Sequence, residues 1–413
     1  MRKTISDIRL LGECRRRDYG ARVGFLDKMP PKGLSLAERT ARITIEQISG
    51  TGSMKGLIPD RGISCKMFPD DRISLEHGFI IDPEPEPEQF QAESLELRTG
   101  KMIYTMKGDF TSFKPNQISG HAKDCKILKE GEEFIARPGE VYLVESFERI
   151  RLPQNVYGIS DARSGVARIG CSGGAATGRN GVLESTFFTT EPEYVYFKIV
   201  PHAFPIILKY RESRPVQVRF RENGFGPLNA EEIRKIYGED VGLYKKGKLV
   251  KFSHELLDEN GLTLRVKTKG YYAQRENVNT PIDITRKDYY DPEEFFARVE
   301  DGDEVEIQPR RLYLFGSKET IVLADRLCGD LVRSPDTLGQ GISNNFARFF
   351  GAGFKGEITM EVWNYRDNPW LITDGLFFGR VLLEYLDSQP LSPYRGAYVG
   401  QKSPTLPGFF KKE

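Results

Sequence analysis

Cysteine is scarce in this 413-residue chain. Cys14, Cys65, Cys125, Cys171 and Cys328 are scattered and odd in number, and no two of them form a Cys-x-x-Cys pair. That argues against a disulfide framework and against a structural zinc site. The four histidines, His77, His121, His202 and His254, stand far apart, none at ligand spacing with a cysteine or another histidine. No apolar run comes near the roughly 18 residues that a membrane helix needs, and the first residues lack the apolar core of a secretory signal. An excess of charge is also missing. With 60 Lys+Arg against 59 Asp+Glu the formal charge is +1, so no global field recruits nucleic acid or an anionic membrane. A cytoplasmic location is expected, with no membrane and no nucleic-acid partner, and any anionic ligand must be held by a local cluster.

What the chain has is punctuation. Forty-one glycines and 24 prolines separate short alternating runs, a pattern of all-β proteins. Val141–Val144, Tyr194–Val200, Pro205–Leu208 and Val216–Phe220 read as strands. Three stretches read as helices: residues 36–48 after Ser35, Asn229–Tyr237, and Pro292–Val299 entered through Asp291. Pro83-Glu-Pro-Glu-Pro-Glu88 reads as an extended, solvated acidic spacer. Residues 1–50 carry 11 basic against six acidic side chains, densest at Arg15–Arg17, and read as a solvated or packing extension.

One loop stands out, Asp161-Ala-Arg-Ser-Gly-Val-Ala-Arg-Ile-Gly170. A small hydroxyl, a flexible glycine and two guanidinium forks suit a polyphosphate. The same pattern also fits a surface turn with two solvated arginines. A repeat is the stronger internal signal. Gly131/Gly302, Pro138/Pro309, Tyr142/Tyr313, Ser146/Ser317, Glu148/Glu319 and Gly158/Gly329 keep one offset without gaps, which predicts two homologous β-domains joined near 229–237. Near their final strands the halves realign, pairing Lys198 with Glu361. One equivalent position has thus diverged in charge.

These residues resemble the dUTPase and dCTP deaminase superfamily, in its two-repeat dCTP deaminase branch. Arg163-Ser-Gly-Val-Ala-Arg-Ile-Gly170 is similar to the family's phosphate motif, and Gly353-Phe-Lys-Gly-Glu-Ile-Thr-Met-Glu361-Val-Trp-Asn364 to its catalytic strand. Tyr394-Arg-Gly-Ala-Tyr398-Val-Gly-Gln401 resembles its closing tail, and residues 56–63 and 90–98 resemble N-terminal elements. The resemblance implies an all-β chain of two tandem distorted β-barrels with a few short helices: an extension (1–55), a phosphate-binding repeat (56–228) and a base-binding, catalytic repeat (229–413). It implies phosphate contacts from Arg163, Ser164, Gly165, Arg168 and Gln217, and a base pocket at Phe346, Ala347 and Arg348. Tyr394, Tyr398 and Gln401 would close over the nucleotide, and Glu361 would be the catalytic carboxylate.

Deaminating cytosine adds water at C4, protonates N3 and expels ammonia. Zinc deaminases use a metal held by His and Cys, for which this chain lacks the spacing. One carboxylate must then move the protons, and apolar neighbours would raise the pKa of Glu361 toward neutrality. Strand alternation alone leaves open which face Glu361 takes. Lys198 could not perform this relay, and Val332-Arg-Ser-Pro-Asp-Thr-Leu-Gly339 keeps only Arg333-Ser334 of the arginine motif. One complementary site per chain is expected, with Arg333 mattering far less than Arg168. Gly351 stands where relatives that hydrolyse dUTP carry an aspartate, which argues against pyrophosphate release. The expected activity is metal-ligand-free conversion of dCTP to dUTP, with magnesium only as the nucleotide's counter-ion and a homo-oligomer as the assembly. A dUTPase, a bifunctional enzyme releasing dUMP and a non-catalytic nucleotide-binding module are the alternatives.

Overall fold

The computed structural model describes residues 57–58, 79–108, 118–176, 186–222, 224–258, 261–300, 302–333, 341–390, 394, 396 and 398–412. The expected helix at 36–48, the run Arg15–Arg17, Cys14, Cys65, His77, most of 56–63 and all of 334–339 lie outside these residues. Strand dominates the rest, in sheets of five, six, three, eleven and two strands. The pairings trace open paths, and none of the described sheets returns to its first strand. The longest described helix is Ala230–Ile236. Asn229 caps it by accepting the amides of Glu231 and Glu232, while Glu232 reaches back to the Asn229 amide in a capping box. No described helix is long and apolar enough to cross a membrane.

The repeat seen in the sequence is a repeat of hydrogen bonds. Tyr142–Arg151 and Leu312–Leu323 are the central strands of the two halves. The Tyr142 hydroxyl accepts the amide of Arg137 at 2.9 Å, and that of Tyr313 accepts the amide of Gln308 at 3.1 Å. Ser146 donates to the Glu148 carbonyl at 2.6 Å and accepts from the Val195 amide at 2.8 Å. Ser317 does the same with Glu319 and Ile358, at 2.6 and 2.8 Å. Both serines are fully buried, so each hydroxyl satisfies a carbonyl and an amide that have no water to turn to. The equivalence extends beyond the aligned stretch. Glu148 accepts the Arg98 amide at 3.0 Å and Glu319 the Arg265 amide at 3.1 Å.

The halves share a core. Phe204 and Ile206 pack with Phe295, Phe296, Leu312 and Leu314 in one apolar cluster, and the strand Ile206–Lys209 pairs in parallel with Ile282–Asp283 of the second half. Across the same junction Arg219, 1% exposed, donates to Glu93 at 2.9 Å, to Asp330 at 3.2 Å and to the carbonyls of Gly329 and Phe350. A guanidinium this deep is tolerated because its two terminal nitrogens meet acceptors on both halves.

Two local expectations are corrected. The helix expected over Pro292–Val299 lasts only through Phe295, with Asp291 capping it as foreseen, and Phe296–Val299 is a strand against Tyr271–Gln274. Phe296 packs edge-on to Phe204, with ring centroids 5.4 Å apart, so burial against the first half overrides a modest helix preference. Nor is Pro83–Glu88 wholly solvated: Glu86 pairs with Arg98 at 2.7 Å and caps a short helical turn, Pro87–Gln89.

Candidate active site

The arginine loop begins where the strand Val156–Ala162 ends. Arg163 is extended, Ser164–Ala167 makes one helical turn, and Gly170 turns the chain back at φ +70°. A side chain on Gly165 would meet the Phe409 ring at 3.3 Å. Glycine there lets the C-terminal segment lie directly on the turn.

Arg168 ends the turn with 4% exposure, covered by the tail. Its guanidinium carbon lies 3.5 Å from the centroid of the Tyr398 ring. It donates to the Thr405 carbonyl at 2.8 Å, to the Thr405 hydroxyl and to Gln401 Oε1 at 3.4 Å. Its Nε is buried without a partner among the described residues. Gln401 is itself fixed to the strand Lys355–Asn364, donating to the Glu357 carbonyl and accepting the Glu357 amide on its own carbonyl at 2.9 Å.

That strand carries Glu361, 2% exposed. Register settles its relation to the first half: Glu361 faces Leu314 as Lys198 faces Leu143. On the other edge the halves part. Beside Lys198 the ladder continues through Gly174 and Ala175. In the second half it stops at Asn344, opposite Val362, because Asn345 takes the left-handed conformation at φ +78°, which asparagine tolerates better than most residues. The chain swings away, and the Phe346 amide donates to Glu361 Oε2 at 3.2 Å. Burial pushes the Glu361 carboxyl up to about 7, against the opposing pull of Arg168 and of the Phe346 and Ala347 amides.

Arg163, Ser164, Gly165, Arg168 and Gln217 of the first half line one cavity of about 790 Å³ with Ala347, Glu361, Tyr394, Tyr398 and Gln401 of the second. All of these residues belong to one chain. Phe346 and Arg348, expected in the base pocket, do not line it. The Phe346 ring instead stacks on His202 at 4.9 Å. The Arg348 amide and guanidinium engage Asp161 at 2.8 and 3.5 Å, and burial pushes the Asp161 carboxyl up to about 6. Gly351 makes room for the tail, since a Cβ there would come within 2.7 Å of the Tyr394 ring.

Several groups escaped the sequence reading. Glu96 pairs with Arg163 at 2.8 Å and with Arg214 at 3.6 Å, and burial outweighs both cations in raising its carboxyl above the ordinary value. Arg214, Arg286 and Lys287 add to the cavity's basic wall. Arg333, expected to matter little, donates to the Asn345 carbonyl at 2.8 and 3.2 Å and so props the turn that frees Glu361. Sparse signal marked these residues: Glu96 and Arg333 lie in strands whose partners are distant in sequence, and Arg214, Arg286 and Lys287 lie outside strands and helices; only the Arg-Glu-Ser-Arg run at 211–214, just before Gln217, hinted at the wall. Among the described residues no group of three or more His, Cys, Asp or Glu side chains could hold a metal ion.

The dCTP deaminase-like family model matches this chain twice, over residues 69–223 and 228–386. A dCTP deaminase of Pyrobaculum calidifontis is 32% identical over 187 residues, 45% of this chain and 98% of its own. A dUMP-forming dCTP deaminase of Persephonella marina is 32% identical over 113 residues, 27% of this chain and 62% of that protein. The fold is similar to the crystal structure of 2'-deoxycytidine 5'-triphosphate deaminase from Agrobacterium tumefaciens, with a TM-score of 0.69 at 20% identity over 82% of this chain and 97% of that one. Matched once by each of its halves, the chain belongs to the dCTP deaminase-like family.

Proposed function

We propose that this protein removes the 4-amino group of dCTP by hydrolysis, in the cavity of about 790 Å³ that residues of both repeats line. The observation that carries the reading is that Arg168 and Glu361, from different halves, line that cavity together, with Glu361 shielded from water. In this reading the first repeat, 56–228, holds the triphosphate through Arg163, Ser164, Gly165, Arg168 and Gln217, with magnesium as the nucleotide's counter-ion. The second, 229–413, presents the base to Glu361 beside Ala347, and the tail closes over both. Each repeat wraps its strands as a distorted barrel around its part of the core.

A carboxyl balanced near 7 can both accept and return a proton at neutral pH. Ionised Glu361 takes a proton from water as its oxygen adds to C4, and passes that proton to N3. Glu361 next takes the proton of the new C4 hydroxyl and hands it to the amino group; the C4–N bond breaks, ammonia leaves, and the oxygen remains as the uracil carbonyl. The Phe346 and Ala347 amides steady the carboxylate through these transfers. No step in this scheme requires a protein-held metal.

A second reading, in which the product is hydrolysed further to dUMP and pyrophosphate, is favoured by the dUMP-forming relative. Set against it, Gly351 leaves no carboxylate at its position, and the Tyr394 ring fills that space. Incubating the protein with dCTP and magnesium, with ammonia and pyrophosphate assayed separately, decides: ammonia alone supports dUTP release, and ammonia with pyrophosphate supports dUMP. Tight binding with neither product defeats the proposal.

A further inference from the structure

Phe346 links two cavities. Its amide holds Glu361, which lines the first, while the residue itself lines a second cavity of about 340 Å³. Residues of both halves line it, and two pairs of them are equivalent. Ser172 and Ser343 hold matching places in the register, opposite Val200 and Trp363. His202 and Tyr365 each follow directly on the strand residue paired with Cys171 or Ile342. The His202 Nε2 lies 3.1 Å from the Ser172 hydroxyl and 3.3 Å from that of Tyr365.

Charge sets this cavity apart from the first. Lys198 and Arg333 bring two cations to its wall, His202 adds an imidazole, and none of the described lining residues is a carboxylate. Such a wall favours a ligand with several anionic oxygens, because hydroxyls and ammonium or guanidinium groups donate to them together. The volume falls in the range of small-molecule sites. We infer that this second cavity is an anion site taking a phosphate-bearing small molecule, with Lys198 and Arg333 as the cations of its wall. The Glu-to-Lys difference between the halves thus does more than silence a proton relay; it gives the first half a charge suited to a different ligand. The inference needs no turnover at Glu361, so it stands or falls separately from the deaminase reading.

The test is a titration of the full chain with inorganic tripolyphosphate, followed by calorimetry and by the emission of Trp363, whose ring centroid lies 5.7 Å from that of His202. An Arg168→Ala background weakens the first cavity. There, one anion per chain is expected to bind still, and adding Lys198→Gln is expected to weaken it by about tenfold or more, the worth of a lost charged hydrogen bond. Lys198→Glu should weaken it further. Unchanged thermal unfolding of the Lys198→Gln chain assigns the loss to the site rather than to the fold. A parallel titration with ATP distinguishes the sources: equal affinity assigns the site to phosphate alone, and tighter ATP binding adds a base lying against the His202–Tyr365 pair. Binding abolished by Arg168→Ala alone, or indifferent to both Lys198 substitutions, overturns the inference.

Discussion

Tyr398 covers Arg168, 3.5 Å from ring centroid to guanidinium carbon, so a tail residue of the second half caps a phosphate-motif residue of the first. Arg168 is buried and Tyr398 half-buried, a setting in which a cation–π pair is worth roughly 1–2 kcal/mol. Tyr398→Ala is therefore expected to raise KM for dCTP about tenfold or more, with a smaller change in kcat. Tyr398→Phe keeps the ring and should stay near wild type. Equal losses in the two variants would show that the hydroxyl, not the ring, matters.

Glu361 should control the pH profile. Burial holds its folded-state value at about 7, above the ordinary 4.5. The associated stability is fully present below about 4.5 and is lost as pH rises through 7. At pH 8 the ionised, buried carboxylate costs up to about 3 kcal/mol. Glu361→Gln should then unfold at a higher temperature than wild type at pH 8, and the difference should vanish near pH 4. Activity runs the other way. In wild type kcat/KM falls as pH drops below about 7 and Glu361 takes up its proton, whereas Glu361→Gln loses at least about a hundredfold in kcat. A fully active Glu361→Gln chain would end the assignment.

Ser146 and Ser317 make matching hydrogen bonds in the two halves. Replacing either by alanine leaves a buried amide and a buried carbonyl without that partner, at a cost of about 1–3 kcal/mol. Equilibrium unfolding in urea should show similar losses for the two single variants. A loss confined to one would mean that the second amide finds another acceptor.

Gly351 and Tyr394 should be energetically coupled. A Cβ at 351 overlaps the Tyr394 ring, and overpacking of this kind costs about 1–3 kcal/mol. Gly351→Ala should therefore destabilise the wild-type chain more than the Tyr394→Ala chain, with a coupling of about 0.5–3 kcal/mol in a double-mutant cycle. Simple additivity would mean that the tail yields without cost.

Much of this was legible in the residues. Tyr142, Ser146 and Glu148 announce the repeat because each side chain bonds a backbone group, and Tyr313, Ser317 and Glu319 do the same work in the second half. Arg168 and Glu361 were legible through their motifs. The left-handed turn at Asn345 was not, since nothing in Ser343-Asn-Asn-Phe346 says which asparagine leaves the strand. Phe296 misled for a related reason: its partner Phe204 lies in the other half, beyond the reach of local periodicity. The pairing of Glu96 with Arg163 was equally hidden, because two residues 67 positions apart meet only once both strands have found their sheets.

The break at Asn345 also limits how the two halves could ever trade roles. Lys198 stands at the position of Glu361, yet its neighbour strand stays laddered past it to Ala175, so no left-handed turn brings amides to it as the turn at Asn345 brings that of Phe346 to Glu361. Writing glutamate at 198 would supply an acid without the turn that holds it. After duplication, the lasting divergence between the copies was therefore one of main-chain path, and no single side-chain reversion can undo it.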